Sequence, residues 1–282
     1  MYWNSRLRIL DVWVDPVNMQ QALDRVEFFL KRGRRPHSVF AVNPEKNFSV
    51  PKDPMLHETF KRADLLIPDG IGVVLAARML HGVEIARVPG VELMERICEL
   101  AANRGSRIFL YGAREEVNRK AANVLSRRYP GLRIAGRANG YVKAEEMPKL
   151  VDRINRSRAD ILFLGLGSPR QERWFLSQKD SLDHVRVCQG IGGTLDVIAG
   201  NVRRAPNFWR SHGAEWFYRL ISEPMRIRRQ RVLPLFVLNV LASKLKTLVW
   251  DAQGQQDEGL FGGRGAAQFH EDCAHIPGIS QS

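Results

Sequence analysis

The chain has 282 residues, 44% of them hydrophobic, enough for one large α/β domain or one domain with an appendage. Lys and Arg number 43 against 30 Asp and Glu, a formal net charge of +13, which favours polyanionic partners such as nucleic acid, an anionic lipid surface or phosphorylated substrates. Cys98, Cys188 and Cys273 stand far apart without CxxC or Cys/His ligand spacing, which argues against a disulfide framework or zinc site, and no apolar run approaches the roughly 18 residues of a bilayer span.

Met1 to Arg8 carries no apolar signal-peptide region, so a cytoplasmic protein is expected. Short apolar runs then recur, each ending in Gly, Pro, Asn or Asp. Ser38 to Val42 leads into Asn43-Pro44-Glu45, and Ala63 to Ile67 into Pro68-Asp69-Gly70 and an apolar helical stretch to Leu80. Arg107 to Tyr111 meets Gly112 and a charged helix that ends near Tyr129-Pro130-Gly131. Ile161 to Leu164 meets Gly165-Leu166-Gly167-Ser168-Pro169, and Val185 to Cys188 meets Gly190-Ile191-Gly192-Gly193. Strand, tight turn and helix in alternation predict an α/β fold, a mostly parallel sheet with helices on both faces. Ligands of such sheets bind beyond the carboxyl ends of the strands. The informative residues are therefore expected in those turns.

The pattern changes at Asn201. Residues 203 to 231 hold eight arginines and only two glutamates. From Leu233 to Trp250, Leu233, Val237, Val240, Leu241, Leu245 and Leu248 fall on one predicted helical face, with Lys244 and Lys246 nearby. Beyond Asp251 the chain is rich in Gly, Gln and Ala without apolar periodicity, and reads as a disordered tail. The expected organisation is a core over 1–200, a basic helical appendage over 201–250 and a tail over 251–282.

Asp69 reads two ways. A carboxylate at a strand mouth can act as general base if it reaches the reacting hydroxyl, and Asp is also a preferred helix N-cap. The Gly165 to Gln171 turn is open in the same manner. Its glycines suit a phosphate cradle at a helix start, while Ser168, Pro169 and Gln171 spell a capping box. The full GxGxxG of a dinucleotide site is missing. Within the arginine block Trp209, Trp216, Phe217, Tyr218 and Pro224 alternate with the cations. Arginine forks bind diphosphate bidentately, but interleaved aromatics also suit stacked single-stranded bases, so a basic nucleic-acid-binding α/β protein is the alternative. No Asp-x-Asp offers the ligands of a metal-held nucleotide sugar.

Taken in order, Asn43-Pro44-Glu45, Pro68-Asp69-Gly70-Ile71-Gly72, Arg87-Val88-Pro89-Gly90, Gly165-Leu166-Gly167-Ser168-Pro169-Arg170-Gln171-Glu172, Arg203-Arg204-Ala205-Pro206 and Glu215 to Arg219 through Glu223-Pro224 form a specific set. The set resembles the WecG/TagA/CpsF glycosyltransferases, glycosyltransferase family 26, from about Ile9 to Leu248. The resemblance implies a Rossmann-like, inverting enzyme that needs no metal or other cofactor. Its donor would be a UDP-sugar, of N-acetylmannosamine type or glucose. Its acceptor would be an undecaprenyl-diphosphate-linked sugar of cell-surface polysaccharide synthesis, at the inner face of the plasma membrane. Position by position, the resemblance makes Asp69 the catalytic base and Asn43, Arg87 and Gln171 pocket residues. It assigns Arg204, Arg219, Arg226 and Arg229 to substrate binding from the appendage, with an anionic membrane surface as partner and no nucleic acid. Ala41 departs from the threonine of many members, which bears on the donor sugar.

Overall fold

In a strand covered on both faces, successive side chains point into opposite layers, so nearly every residue is apolar. The apolar runs do this. The computed structural model describes residues 5–202, 205, 206, 209, 218 and 231–261, with side chains described as far as residue 247. Its strands are β1 (Leu7–Ile9), β2 (Val12–Val14), β3 (His37–Val42), β4 (Leu65–Pro68), β5 (Arg107–Gly112), β6 (Arg133–Ala138), β7 (Ile161–Gly165) and β8 (Val187–Gly190). The α-helices are α1 (Met19–Arg32), α2 (Lys46–Ser49), α3 (Pro54–Arg62), α4 (Ile71–His81), α5 (Gly90–Arg104), α6 (Glu115–Arg128), α7 (Met147–Ser157), α8 (Arg170–Gln178), α9 (Thr194–Ile198) and α10 (Val232–Phe261).

Among the described residues β3 to β8 form one six-stranded sheet in the order β4-β3-β8-β7-β5-β6, and every pairing is parallel. Phe40, Val42, Phe109, Tyr111, Leu162 and Leu164 feed the core on one face, together with residues of α3, α4, α7 and α8. Val39, Ile108, Leu110, Ile161, Phe163 and Val187 feed the other, against α1, α5, α6 and α9. Helices therefore cover both faces, as the sequence pattern predicts.

The antiparallel hairpin β1–β2 is clipped to the sheet by Asp15. That residue is 3% exposed, accepts the Leu66 N–H at 2.6 Å and pairs with Arg6 at 3.0 Å. Neither this hairpin nor β6 stands out in the sequence. Both hairpin strands are three residues long, and β6 (Arg-Ile-Ala-Gly-Arg-Ala) is an edge strand with little apolar content.

One expectation about the C-terminal region changes. In α10 the buried side chains are Phe236 and Val240, 2% and 4% exposed, whereas Val237, Leu241 and Leu245 are exposed. Of the predicted apolar face, among the residues whose side chains are described, only Val240 is buried in the core. Phe236, one position off that face, lies 3.5 Å from where a Cβ on Gly72 would stand, so packing against α4 selects the register. The helix runs to Phe261. No helix among the described residues is long and apolar enough to cross a membrane.

Candidate active site

The carboxyl ends of β4, β3, β8 and β7 lie side by side, in steps of about 4.8 Å. Each ends in a turn that carries a sequence-predicted residue. The Asp69 N–H donates to the Val42 carbonyl at 2.9 Å, and the Val88 N–H to the Pro68 carbonyl at 2.8 Å. These two bonds bring the β3, β4 and Arg87 loops together. A Cβ on Gly70 would stand 3.6 Å from the Asn43 Cβ, and one on Gly90 would stand 3.6 Å from Asp69 Oδ2 and 3.9 Å from the Ala41 Cβ. Asn43, Asp69, Arg87 and Ala41 thus form one half-buried group.

Asp69 is not the cap of α4. That helix is capped by Gly70, with no side-chain hydrogen bond to its first turn. The N-cap reading of Asp69 therefore fails.

The capping box predicted for α8 is also absent. The cap residue is Pro169, and no side chain caps it. Instead Gln171, 6% exposed, turns inward and its Oε1 accepts the Gly192 N–H at 2.9 Å. The carboxamide thereby ties the β7 turn to the β8 turn. A Cβ on Gly190 would collide with Gln171 Nε2, which is why glycine stands there.

Beneath these turns sits a pair that sequence reasoning missed. Lys46 and Glu172, 6% and 1% exposed, meet at 2.8 Å between Nζ and Oε1. The same ammonium donates to Ser168 Oγ and lies 4.9 Å from the centre of the Phe60 ring. The partners are 126 positions apart, and no local spacing announces them. Gln189 was missed as well. It is 1% exposed and donates from Nε2 to the Gly90 carbonyl at 3.1 Å, fixing the start of α5 beside Asp69. Asn43 Oδ1 and Gln189 Oε1 are buried acceptors without a donor among the described residues. Buried polar atoms of this kind call for a ligand hydroxyl or a water.

The connections leaving β5 and β7 diverge, β5 leading outward to β6 and β7 back to β8. That divergence makes a topological switch point, where open α/β sheets bind ligands. Gly112 and Gly165 are paired there, and a Cβ on Gly112 would overlap the Gly165 carbonyl. The backbones approach as closely as glycine permits.

The sequence model of the glycosyl transferase WecG/TagA/CpsF family matches residues 7–249. The chain belongs to the WecG/TagA/CpsF glycosyltransferase family. It is similar to the N-acetylglucosaminyldiphosphoundecaprenol N-acetyl-β-D-mannosaminyltransferase of Bacillus spizizenii strain W23, 36% identical over 203 residues, 72% of this chain and 78% of the relative. The protein of the same name from Staphylococcus aureus strain MRSA252 is 32% identical over 244 residues, 86% of this chain and 94% of the relative. This chain is accordingly a glycosyltransferase.

The structure brings four of the transferase's predicted site residues, Asn43, Asp69, Arg87 and Gln171, to one edge of the sheet. Arg204, Arg219, Arg226 and Arg229 lie outside the described residues. Cys98 and Cys188 are buried and unlinked. Burial pushes the Cys98 thiol up to about 12 and raises Cys188 too, which keeps both protonated and unreactive.

Proposed function

We propose that this transferase moves a sugar of N-acetylmannosamine type or glucose from a UDP-sugar to an undecaprenyl-diphosphate-linked sugar, with inversion, during cell-surface polysaccharide synthesis. The carrying observation is the position of Asp69, a carboxylate at the mouth of the sheet, one residue before the Gly70 cap of α4 and beside Gly90 and Ala41. Asp69 takes the proton from the acceptor hydroxyl as that oxygen attacks the anomeric carbon and UDP departs. The relatives' names, which specify transfer to N-acetylglucosaminyldiphosphoundecaprenol, support the acceptor class.

The diphosphate would lie at the glycine turns after β7 and β8, where helix starts favour anions. Arginines from Arg87 and the basic segment would stabilise the departing UDP in place of a metal. The exposed Leu235, Leu238, Leu241 and Leu245 of α10, next to the basic segment, suit a peripheral position on the inner, anionic face of the plasma membrane.

The direct test incubates the enzyme with a panel of radiolabelled UDP-sugars and short-chain prenyl-diphosphate-sugar acceptors. Labelled lipid product with one donor is expected, and turnover should survive EDTA. No product with any donor would refute the reading. Recovery only on adding Mg²⁺ or Mn²⁺ would refute the arginine mechanism alone.

A second expectation concerns Arg219, Arg226 and Arg229. Spaced by seven and three residues, they would share one stripe if their segment is helical, which suits a compact diphosphate. Each Arg→Ala change is expected to lower transfer roughly 10–100-fold, because a charge-assisted contact contributes about 1.5–3 kcal/mol. Arg→Lys should restore part of it, since a point charge cannot form the fork. Equal small losses here and at Arg210 and Arg231, with oligonucleotide binding that falls steeply with salt, would favour the nucleic-acid alternative.

A further inference from the structure

At the amino-terminal edge of the sheet, about 16 Å along β5 from Gly112, lies a cavity of about 420 Å³. Its walls include Leu30, Arg107, Arg158, Asp160, His184 and Arg186. The three arginines come from three separate stretches of chain. Arg107 opens β5, Arg158 lies three residues before the first residue of β7, and Arg186 immediately precedes β8. Because β8, β7 and β5 are consecutive in the sheet, parallel pairing delivers all three guanidinium groups to one place. We infer that this cavity is a second anion site, separate from the carboxyl edge, that takes a soluble phosphate-bearing ligand of about diphosphate size.

Charge pairing supports this. Several surface arginines have carboxylate partners: Arg35 with Asp64, Arg128 with Glu95, Arg137 with Glu115, Arg173 with Asp53. Among the described residues Arg107, Arg158 and Arg186 make no such pair. Their one acidic neighbour in the cavity, Asp160, spends Oδ2 on the Arg107 backbone N–H at 2.8 Å. Arg186 is held by the Asp183 and Val185 carbonyls, at 3.0 and 3.2 Å, which leave its charge uncompensated. Three guanidinium groups against one carboxylate give a local excess of positive charge, and an anion relieves that repulsion.

The backbone supplies an independent observation. Arg158 caps α7 with φ 51° and ψ 39°, the left-handed conformation, where helices usually place Gly or Asn. A long side chain at such a position is strained, and strain of this kind gathers at ligand clamps. The cavity volume lies within the range of small-ligand sites.

Arg158→Gly tests the site without threatening the fold, because glycine adopts the left-handed cap at no steric cost. The variant should unfold at the same temperature as wild type or higher, and keep its basal transfer activity. Titration calorimetry with inorganic pyrophosphate should nonetheless show affinity lowered roughly 10–100-fold, the worth of one charge-assisted contact. Arg107→Gln, which leaves the backbone bond to Asp160 intact, should show the same loss. Pyrophosphate affinity unchanged in both variants, or no binding to the wild type, would overturn the inference. So would binding that falls in Arg87→Ala but not in Arg158→Gly, since the anion would then sit at the carboxyl edge. Vesicles of phosphatidylglycerol distinguish a lipid headgroup as the source. Equal sedimentation of wild type and Arg158→Gly supports a soluble ligand, and vesicle binding lost in the variant overturns it.

Discussion

Asp69→Asn is expected to lower kcat by about 10²–10⁴, the usual worth of general-base assistance, while the protein stays folded and still binds donor. The amide has nearly the shape of the carboxylate but cannot accept the proton. Because α4 is capped at Gly70 with no side-chain bond, the change removes no helix cap. Neighbouring geometry also survives, since the Asp69 N–H to Val42 bond is a backbone contact. The measurement is steady-state transfer with UDP-sugar and lipid-linked acceptor, beside a thermal unfolding curve. Turnover near that of wild type would remove Asp69 from the chemistry. A large fall in unfolding temperature would instead make its role structural.

The second large effect concerns stability. Lys46→Met leaves Glu172, 1% exposed, as a buried carboxylate with its cation gone. Breaking a buried pair in this way costs about 3–5 kcal/mol. At about 2–4 °C per kcal/mol for a domain of this size, Tm should fall by about 6–20 °C. Removing both charges, in Lys46→Met with Glu172→Leu, should recover most of the loss, because two apolar side chains of similar volume need no desolvated charge. Circular dichroism on the single and double variants decides the matter. If the double variant is no more stable than the single, the pair is not what holds the β3 and β7 turns together, and the Ser168 and Phe60 contacts of Lys46 take that role.

Much of this protein is legible in its sequence alone. The runs ending at Val42, Ile67, Tyr111, Leu164 and Cys188 fall on β3, β4, β5, β7 and β8. A strand buried on both faces must be apolar throughout, and its turn must break the run. The ordered motifs carry the family, and the same turns hold Asn43, Asp69, Arg87 and Gln171 because parallel strands present their carboxyl ends together. Tertiary structure decided the rest. Gln171 satisfies a local capping pattern perfectly well, yet the Gly192 N–H from the next strand takes its carboxamide. Asp69 has the residue type of a cap, but Gly70 caps α4. Lys46 finds Glu172 across 126 positions, and Phe236 displaces the predicted apolar face of α10 by fitting over Gly72. Periodicity and turn chemistry are written in neighbouring residues and can be read there. Partners brought together by the order of strands in a sheet leave no local trace, because that order is settled only when the whole sheet closes around its core.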